Sequence, residues 1–491
     1  MGLAFAPIYL KMLGIEAYGL IGFFSMLQVW LTLLDLGMMP ASVREMARYT
    51  SKERSIQQTR ELLYSFEVVS GAIGAAIVLT LAGCGSFIGT NWLKSNVISS
   101  SSIQEAVTVM GLILALRLPE GLYRSCLVGL QQQVWLNVGL VISATIRSIG
   151  AIICLSYIDS SIHVFFLWQA FASLLTLLAF ATAVHLSLPS APLPVRFSKA
   201  AVVSVGKFAA GMAGINLLAM LLTQVDKVLL SRLLSLENFG YYMLASAVVG
   251  VMYSFSAPIT QAVFPAMAED ATNSSQERLA NTFHRAANLH SAVIAPIAIA
   301  LIFLAHPLIF SWTANSKVAD QVAPIVSLLS VGTLFNIVMH MPYFLQVANG
   351  RTKLLLRGNV VAVVVMIPLL IWLVPIWGAV AAAAIWAALN AGYLLIIAPL
   401  TFHASLPGET GKWIINDVLK PATVAAIVFG VSTLFPFGEG DRVIQALRTI
   451  AVGGAMLIAS LTTVEGLAVG TWRFVHKWTR QHFSSYETMI K

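Results

Sequence analysis

Apolar runs of about 18 residues or more, rich in Leu, Ala, Val and Ile, recur from one end of this chain to the other. A helix of that length crosses a hydrocarbon core ~30 Å thick, and it satisfies its own backbone polar groups on the way. Transmembrane strands would instead show short segments of alternating polarity. With 58% hydrophobic and only 10% charged residues over 491 positions, no water-soluble globule could hide so many long helices. The chain reads as an all-α integral membrane protein.

Charged, Gly, Pro and Ser breaks delimit about fourteen segments, near 1–13, 17–42, 62–89, 105–130, 134–157, 163–187, 203–231, 239–265, 285–310, 320–348, 354–374, 377–402, 416–435 and 444–470. The net charge of +8 lies in the short connections, which argues against nucleic acid as a partner. One set of alternate connections holds Arg44, Arg48, Lys52, Arg54, Arg60, Arg124, Arg196, Lys199, Lys207, Arg278, Arg285, Arg351, Lys353, Arg357, Lys412, Lys420 and the tail's Arg473, Lys477, Arg480 and Lys491. The other holds only Lys11, Lys94, Arg232, Lys317, Arg442 and Arg448. The positive-inside rule then makes the first set cytoplasmic and places both termini inside. About twelve apolar residues precede Gly14, half of what a span needs, with no signal-peptide pattern, so the first helix is expected to be truncated.

Lys11-Met-Leu-Gly-Ile-Glu-Ala-Tyr-Gly-Leu20 reappears as Arg232-Leu-Leu-Ser-Leu-Glu-Asn-Phe-Gly-Tyr241, a shift of 221 residues from 11 to 232. Pro40-Ala41 is answered by Pro265-Ala266 with a small offset. The shift spans about six helices, an even number, so the halves would form a parallel repeat about an axis along the membrane normal. The expected organisation is an N-terminal lobe over 1–190, a C-terminal lobe over 200–402, and two further helices with a cytoplasmic tail over 412–491. Such a repeat predicts a central cavity and alternating access by rocking lobes.

Three stretches carry a family resemblance: Leu10-x-x-Leu13-Gly14-x-Glu16-x-Tyr18-Gly19, Leu34-Asp35-Leu36-Gly37-Met-Met-Pro40-Ala41, and Asp226-x-x-Leu229-Leu230-Ser231-x-x-Leu234 running into Phe239-Gly240-Tyr241-Tyr242. Together they resemble Wzx-type O-antigen and polysaccharide flippases of the MATE-like multidrug/oligosaccharidyl-lipid/polysaccharide (MOP) superfamily. The resemblance implies two six-helix lobes plus two C-terminal helices. It also implies export of undecaprenyl-diphosphate-linked oligosaccharide across a bacterial inner membrane, with membrane lipids, a polysaccharide polymerase and a chain-length regulator as partners.

Charges within spans are the sharpest local signal, since each costs about 2.5–3.5 kcal/mol at mid-helix on insertion scales. Arg147 sits midway through the fifth segment. Arg117 is central in the fourth, followed at helical spacing by Glu120 and Arg124 on one face. With Lys227, these arginines are candidate substrate-binding residues, because guanidinium groups grip phosphate and carboxylate in a bidentate manner. The alternative is a structural Arg117–Glu120 pair, while Arg124 is near enough to the cytoplasmic face to snorkel.

Asp35, Asp226, Glu120 and His340 are candidate gating or ion-coupling residues. Asp35 shares a helical face with Thr32 and Gln28, and a helix-end hydrogen bond is its other reading. Asp226 and Lys227 equally suit a local salt bridge. His340 either titrates near neutrality or is a satisfied core histidine. Asn216, Gln261, Asn336, Gln346 and Asn390 suit helix-to-helix hydrogen bonds, and Pro258, Pro296, Pro342 and Pro368 are expected to kink their helices.

No phosphate loop, HExxH, GxSxG or EF-hand pattern occurs, and Cys84, Cys126 and Cys154 form no ligand cluster, so no cofactor, metal or enzyme activity is expected. Transport would then be driven by an ion gradient or by consumption of the product outside. Two further readings stay open: a cation-coupled multidrug exporter, which predicts an acidic and aromatic lumen, and a lipid II flippase with a similar cationic cavity. A membrane glycosyltransferase would need a soluble catalytic loop that no connection here is long enough to supply.

Overall fold

The computed structural model describes residues 2–272, 275–351, 353–434 and 442–464. The basic tail with Arg473, Lys477, Arg480 and Lys491 lies outside the described residues, as do the side chains of Lys207 and Asn216. Among the described residues the chain is helical, and its only extended pairing is an isolated bridge between Lys94 and Ser235.

The N-terminal elements are α1 (Gly2–Leu34), α2 (Met38–Thr50), α3 (Ile56–Phe87) with a π-turn over Ile88–Trp92, α4 (Ser100–Gly129), α5 (Gln133–Tyr157), α6 (Ile162–Ser187) and α7 (Lys199–Leu233). There follow α8 (Leu236–Thr272), α9 (Gln276–Phe303), α10 (Ala305–Thr313), α11 (Ser316–Val338), α12 (His340–Ala348), α13 (Lys353–Gly392) and α14 (Ala398–Ser405). The last described elements are α15 (Thr410–Lys412), a π-turn over Trp413–Leu419, α16 (Lys420–Thr433) and α17 (Arg442–Leu461).

Among the described residues, eleven helical stretches are long and apolar enough to cross a membrane. Two of them are each broken by one glycine, Gly14 (φ 82°, ψ 174°) and Gly378 (φ 63°, ψ −146°), where the sequence places a connection between two segments. A side chain is strained at those angles, so glycine is the residue that lets the chain turn there. With both stretches divided at their glycines and α7 added, a helix stands where each of the fourteen segments was expected. Pro258, Pro296 and Pro368, expected to kink, are carried inside helices with no non-helical residue at them.

The segment expected over 17–42 is not continuous. It ends at Leu34, the chain turns through Leu36 and Gly37 at φ 50° and 75°, and α2 restarts at Met38. Asp35 drives the restart: its carboxylate accepts the Met39 amide at 3.0 and 3.2 Å and its carbonyl accepts the Met38 amide. Asp35 thus makes the helix-end hydrogen bond that was its other reading. The stretch expected over 320–348 is likewise divided, at Met339 between α11 and α12.

The chain forms two compact units, Met1–Met243 and Leu244–Lys491. In the first, α2, α3, α4 and α6 enclose a core of Met46, Leu62, Phe66, Leu122, Leu127 and Val184. In the second, Phe283, Phe402 and Trp413 pack with ring centroids 5.3 and 5.0 Å apart, joined by Met267, Met341 and Leu345. Leu79, Trp135, Trp372 and Leu395 point outward with well over half of their surface exposed, as expected where the solvent is lipid.

The two copies of the repeated loop motif meet inside the first unit. A Cβ on Gly19 would stand 2.5 Å from the Leu236 carbonyl oxygen, and a Cβ on Gly240 would stand 2.5 Å from that of Ile15. The shift that maps 15 onto 236 also maps 19 onto 240, and Gly22 packs on Met243, its own counterpart. Reciprocal contacts of this kind are what a two-fold axis between the motifs produces.

The loop after the first π-turn clasps both copies. Glu16 accepts from the Ser95 hydroxyl at 2.5 Å and from the Asn96 and Val97 amides at 3.1 and 3.0 Å. On the other copy, the Leu236 amide donates to the Lys94 carbonyl at 2.7 Å, and the Arg232 guanidinium lies 5.2 Å from the Trp92 ring centroid.

Candidate functional site

Helix α4 brings Arg117, Glu120 and Arg124 onto one face, because spacings of three and four residues nearly complete a turn. Its start is fixed by Ser99, whose hydroxyl accepts the Ser102 amide at 3.2 Å. Glu120 is the buried centre, with 4% exposure. Arg147 reaches it from α5, donating from Nη2 to Oε2 at 2.7 Å, and Arg124 Nη1 lies 3.9 Å from Oε1. Gln169 on α6 holds the Arg147 backbone by donating to its carbonyl at 3.2 Å.

Arg117 does not take the Glu120 carboxylate, and in place of the alternative Arg117–Glu120 pair the structure has Arg147–Glu120. Arg117 turns to α1, where it donates to Gln28 Oε1 and stacks over Phe24 with its carbon 5.5 Å from the ring centroid. Two guanidinium groups thus share one carboxylate while Arg117, on the same face of α4, is held by Gln28 and Phe24, leaving an excess of two positive charges beside apolar helices. The Nε atoms of Arg117 and Arg147 are buried without a protein partner. A cluster with surplus donors and surplus positive charge can hold an anion with several oxygens in a fixed orientation.

The remaining sequence candidates stand elsewhere. Lys227 donates to Asp226 at 3.1 and 3.2 Å and to the Thr223 carbonyl at 2.9 Å, while Tyr242 donates to Asp226 at 2.6 Å. Lys227 and Asp226 thus form a local pair, and Lys227 adds no cation to the arginine cluster. Asp35 caps α2. His340 opens α12 with its Nδ1 3.1 Å from the Ser256 hydroxyl. Asn336 donates to Asn390 at 2.8 Å and Gln346 to Thr401 at 2.7 Å, the helix-to-helix bonds expected of them.

Phe24, Gln28 and Gln169 complete the arginine site without having been singled out for it. Phe24 and Gln28 are four residues apart, so their shared face was visible, but only packing shows that it faces Arg117. A second buried carboxylate, Glu45 on α2, is held by Arg44 at 2.7 Å and also by Arg54. Burial pushes its acidity down, but Arg44 and Arg54 outweigh burial and hold its pKa below the usual glutamate value. No group of three or more His, Cys, Asp or Glu among the described residues is placed to hold a metal ion.

The family model for polysaccharide biosynthesis proteins matches residues 1–270, more than half the chain, and the MatE model matches 212–372. The chain belongs to the polysaccharide biosynthesis protein family. Searching the curated proteins gives no match. Among solved structures, the lipid II flippase MurJ in an inward closed conformation aligns with a TM-score of 0.68 at 16% identity, covering 92% of this chain and 95% of that one. An inward-facing MATE-family multidrug resistance transporter of the MOP superfamily aligns at 0.66 and 13% identity over 82% and 92%. A MOP superfamily transporter from Pyrococcus furiosus, described as having a binding pocket of reversed polarity, aligns at 0.51 and 12% over 81% and 89%. This polysaccharide biosynthesis family member is therefore a multi-pass membrane protein with the MOP fold, as the loop motifs led one to expect.

Proposed function

We propose that this protein is a flippase that carries an oligosaccharide linked to undecaprenyl diphosphate across the bacterial inner membrane by alternating access, with both termini cytoplasmic. The observation that carries the reading is the Arg117–Arg124–Arg147 cluster around one carboxylate. A diphosphate esterified at both ends, to lipid and to sugar, presents several oxygens and two negative charges, which the surplus guanidinium donors match. A cationic drug would meet the wrong charge there. Family membership supports a polysaccharide precursor as the cargo. The lobes over 1–190 and 200–402 are the moving parts in this reading, and a polymerase and chain-length regulator would take up the product outside.

The test is radiolabelled sugar on the carrier lipid in cells lacking the protein. Accumulation of the lipid-linked unit on the cytoplasmic leaflet, relieved by the wild-type gene, supports the reading. Raised sensitivity to cationic dyes without accumulation supports drug export instead. Lipid II would present the same diphosphate, so the identity of the accumulated sugar separates the two flippases.

A further inference from the structure

The second unit holds a buried pair of imidazoles that the arginine cluster does not use. Ser256 on α8 stands between His290 on α9 and His340 at the start of α12, its Oγ 2.7 Å from His290 Nε2 and 3.1 Å from His340 Nδ1. The two rings lie 6.3 Å apart. Ser256 and His290 are sealed, at 0% and 1% exposure, whereas His340 is half-buried beneath a partly open Tyr253, 6.0 Å between centroids. Tyr253 in turn donates to Asn336 at 3.0 Å. One end of the trio is reachable and the other is closed.

A hydroxyl gives one hydrogen. With a neutral ring nitrogen on each side of Ser256, Oγ can accept from one nitrogen while the hydroxyl donates to the other. A proton arriving on His340 puts a hydrogen on Nδ1, which donates to Ser256 Oγ while the hydroxyl hydrogen turns to His290 Nε2. Transfer of both hydrogens along these two contacts moves the charge onto His290, and only N–H and O–H bonds are exchanged.

No carboxylate competes for that proton. The sequence has no Asp or Glu between Asp320 and Glu409, and no charged residue at all over 238–268, 286–303, 321–350 and 358–392, the parts of α8, α9, α11, α12 and α13 nearest the trio. The other titratable groups on α9, Glu277, Arg278, His284 and Arg285, all lie in its first ten residues; His284 is bracketed by Asp417 and by Glu409 at 3.0 Å, with Lys412 3.6 Å from Glu409. It lies six residues from His290, toward the start of α9. A proton on the dry histidine pair is thus an uncompensated charge, and it becomes stable when water or an anion reaches the ring. Any conformation that wets the trio binds the proton more tightly than one that seals it, so by linkage protons favour that conformation.

We propose that His290, Ser256 and His340 form the proton-binding site of the second unit, through which pH biases the transport cycle. This rests on the transporter reading above. The test measures hydrogen–deuterium exchange of peptides over 250–262 and 334–346 in the full-length protein in lipid nanodiscs without substrate, between pH 5 and 8, after correction for intrinsic exchange. The expected result is a sigmoidal change on the order of tenfold in the wild type. It should be flat in both His290→Gln and His340→Gln, displaced in Ser256→Ala, and kept in His284→Gln. Absence of the transition in the wild type overturns the proposal without any variant, and so does its persistence in both glutamine variants. Because no substrate is present, failure here leaves the flippase reading standing, and failure of the leaflet assay leaves the histidine transition standing.

Discussion

Removing Arg147 alone is a poor test of its role, because Glu120 would be left buried with Arg124 at 3.9 Å as its nearest cation. Breaking one side of a buried pair costs about 3–5 kcal/mol, so Arg147→Ala should lose abundance as well as transport. The double variant Arg147→Ala/Glu120→Gln removes both charges. It should restore abundance on immunoblots to near wild type while transport stays below about a tenth, because the guanidinium that meets the anion is missing. Recovery of transport along with abundance would make the pair purely structural. Arg147→Lys keeps the charge without the fork and should retain part of the activity. Glu45 gives a prediction in pH. Its pKa is depressed in the folded protein, so its contribution to stability is full above the unfolded value near ~4.3 and is lost as pH falls through the lower folded value. The thermal stability gap between wild type and Glu45→Gln should be constant from pH 5 to 8 and shrink below about pH 4.

At the scale of elements, the breaks carry the argument. Gly14 adopts angles that only glycine holds without strain, so Gly14→Ala should cost about 1–3 kcal/mol, read as a lower melting temperature in detergent. Gly19 and Gly240 face each other's carbonyl-bearing turns at the same 2.5 Å, so Gly19→Ala and Gly240→Ala should destabilise to a similar degree. A large loss from one and none from the other would contradict the reciprocal contact. Most spans were legible because a long apolar run has few other fates. The Asp35 turn was not: Leu34-Asp-Leu-Gly37 is apolar enough to pass for helix, and only the Asp35 cap on Met39 shows the restart. The division at Met339 was hidden likewise, since no charged residue marks it. For the site, α4 spacing placed three residues on one face, but which arginine takes Glu120 depends on how α5 and α1 pack, which periodicity does not encode.

For the whole molecule, the alternation of basic connections puts residues 45–60 on the cytoplasmic side in the proposed topology, where Arg44, Arg48 and Arg54 surround Glu45. Single cysteines introduced at Ser51 and Ser55 should react with a membrane-impermeant maleimide only after the cells are opened; reaction in intact spheroplasts would reverse the orientation. In the proposed function the same orientation sets the direction in which cargo bound at the arginine cluster would be delivered. The most direct test of that delivery is the distribution of radiolabelled, undecaprenyl-diphosphate-linked sugar between the two leaflets in cells lacking the protein, with and without the wild-type gene. The flippase reading predicts cytoplasmic accumulation that wild type relieves and the Arg147→Ala/Glu120→Gln variant does not. An unchanged leaflet distribution in the absence of the protein would contradict it.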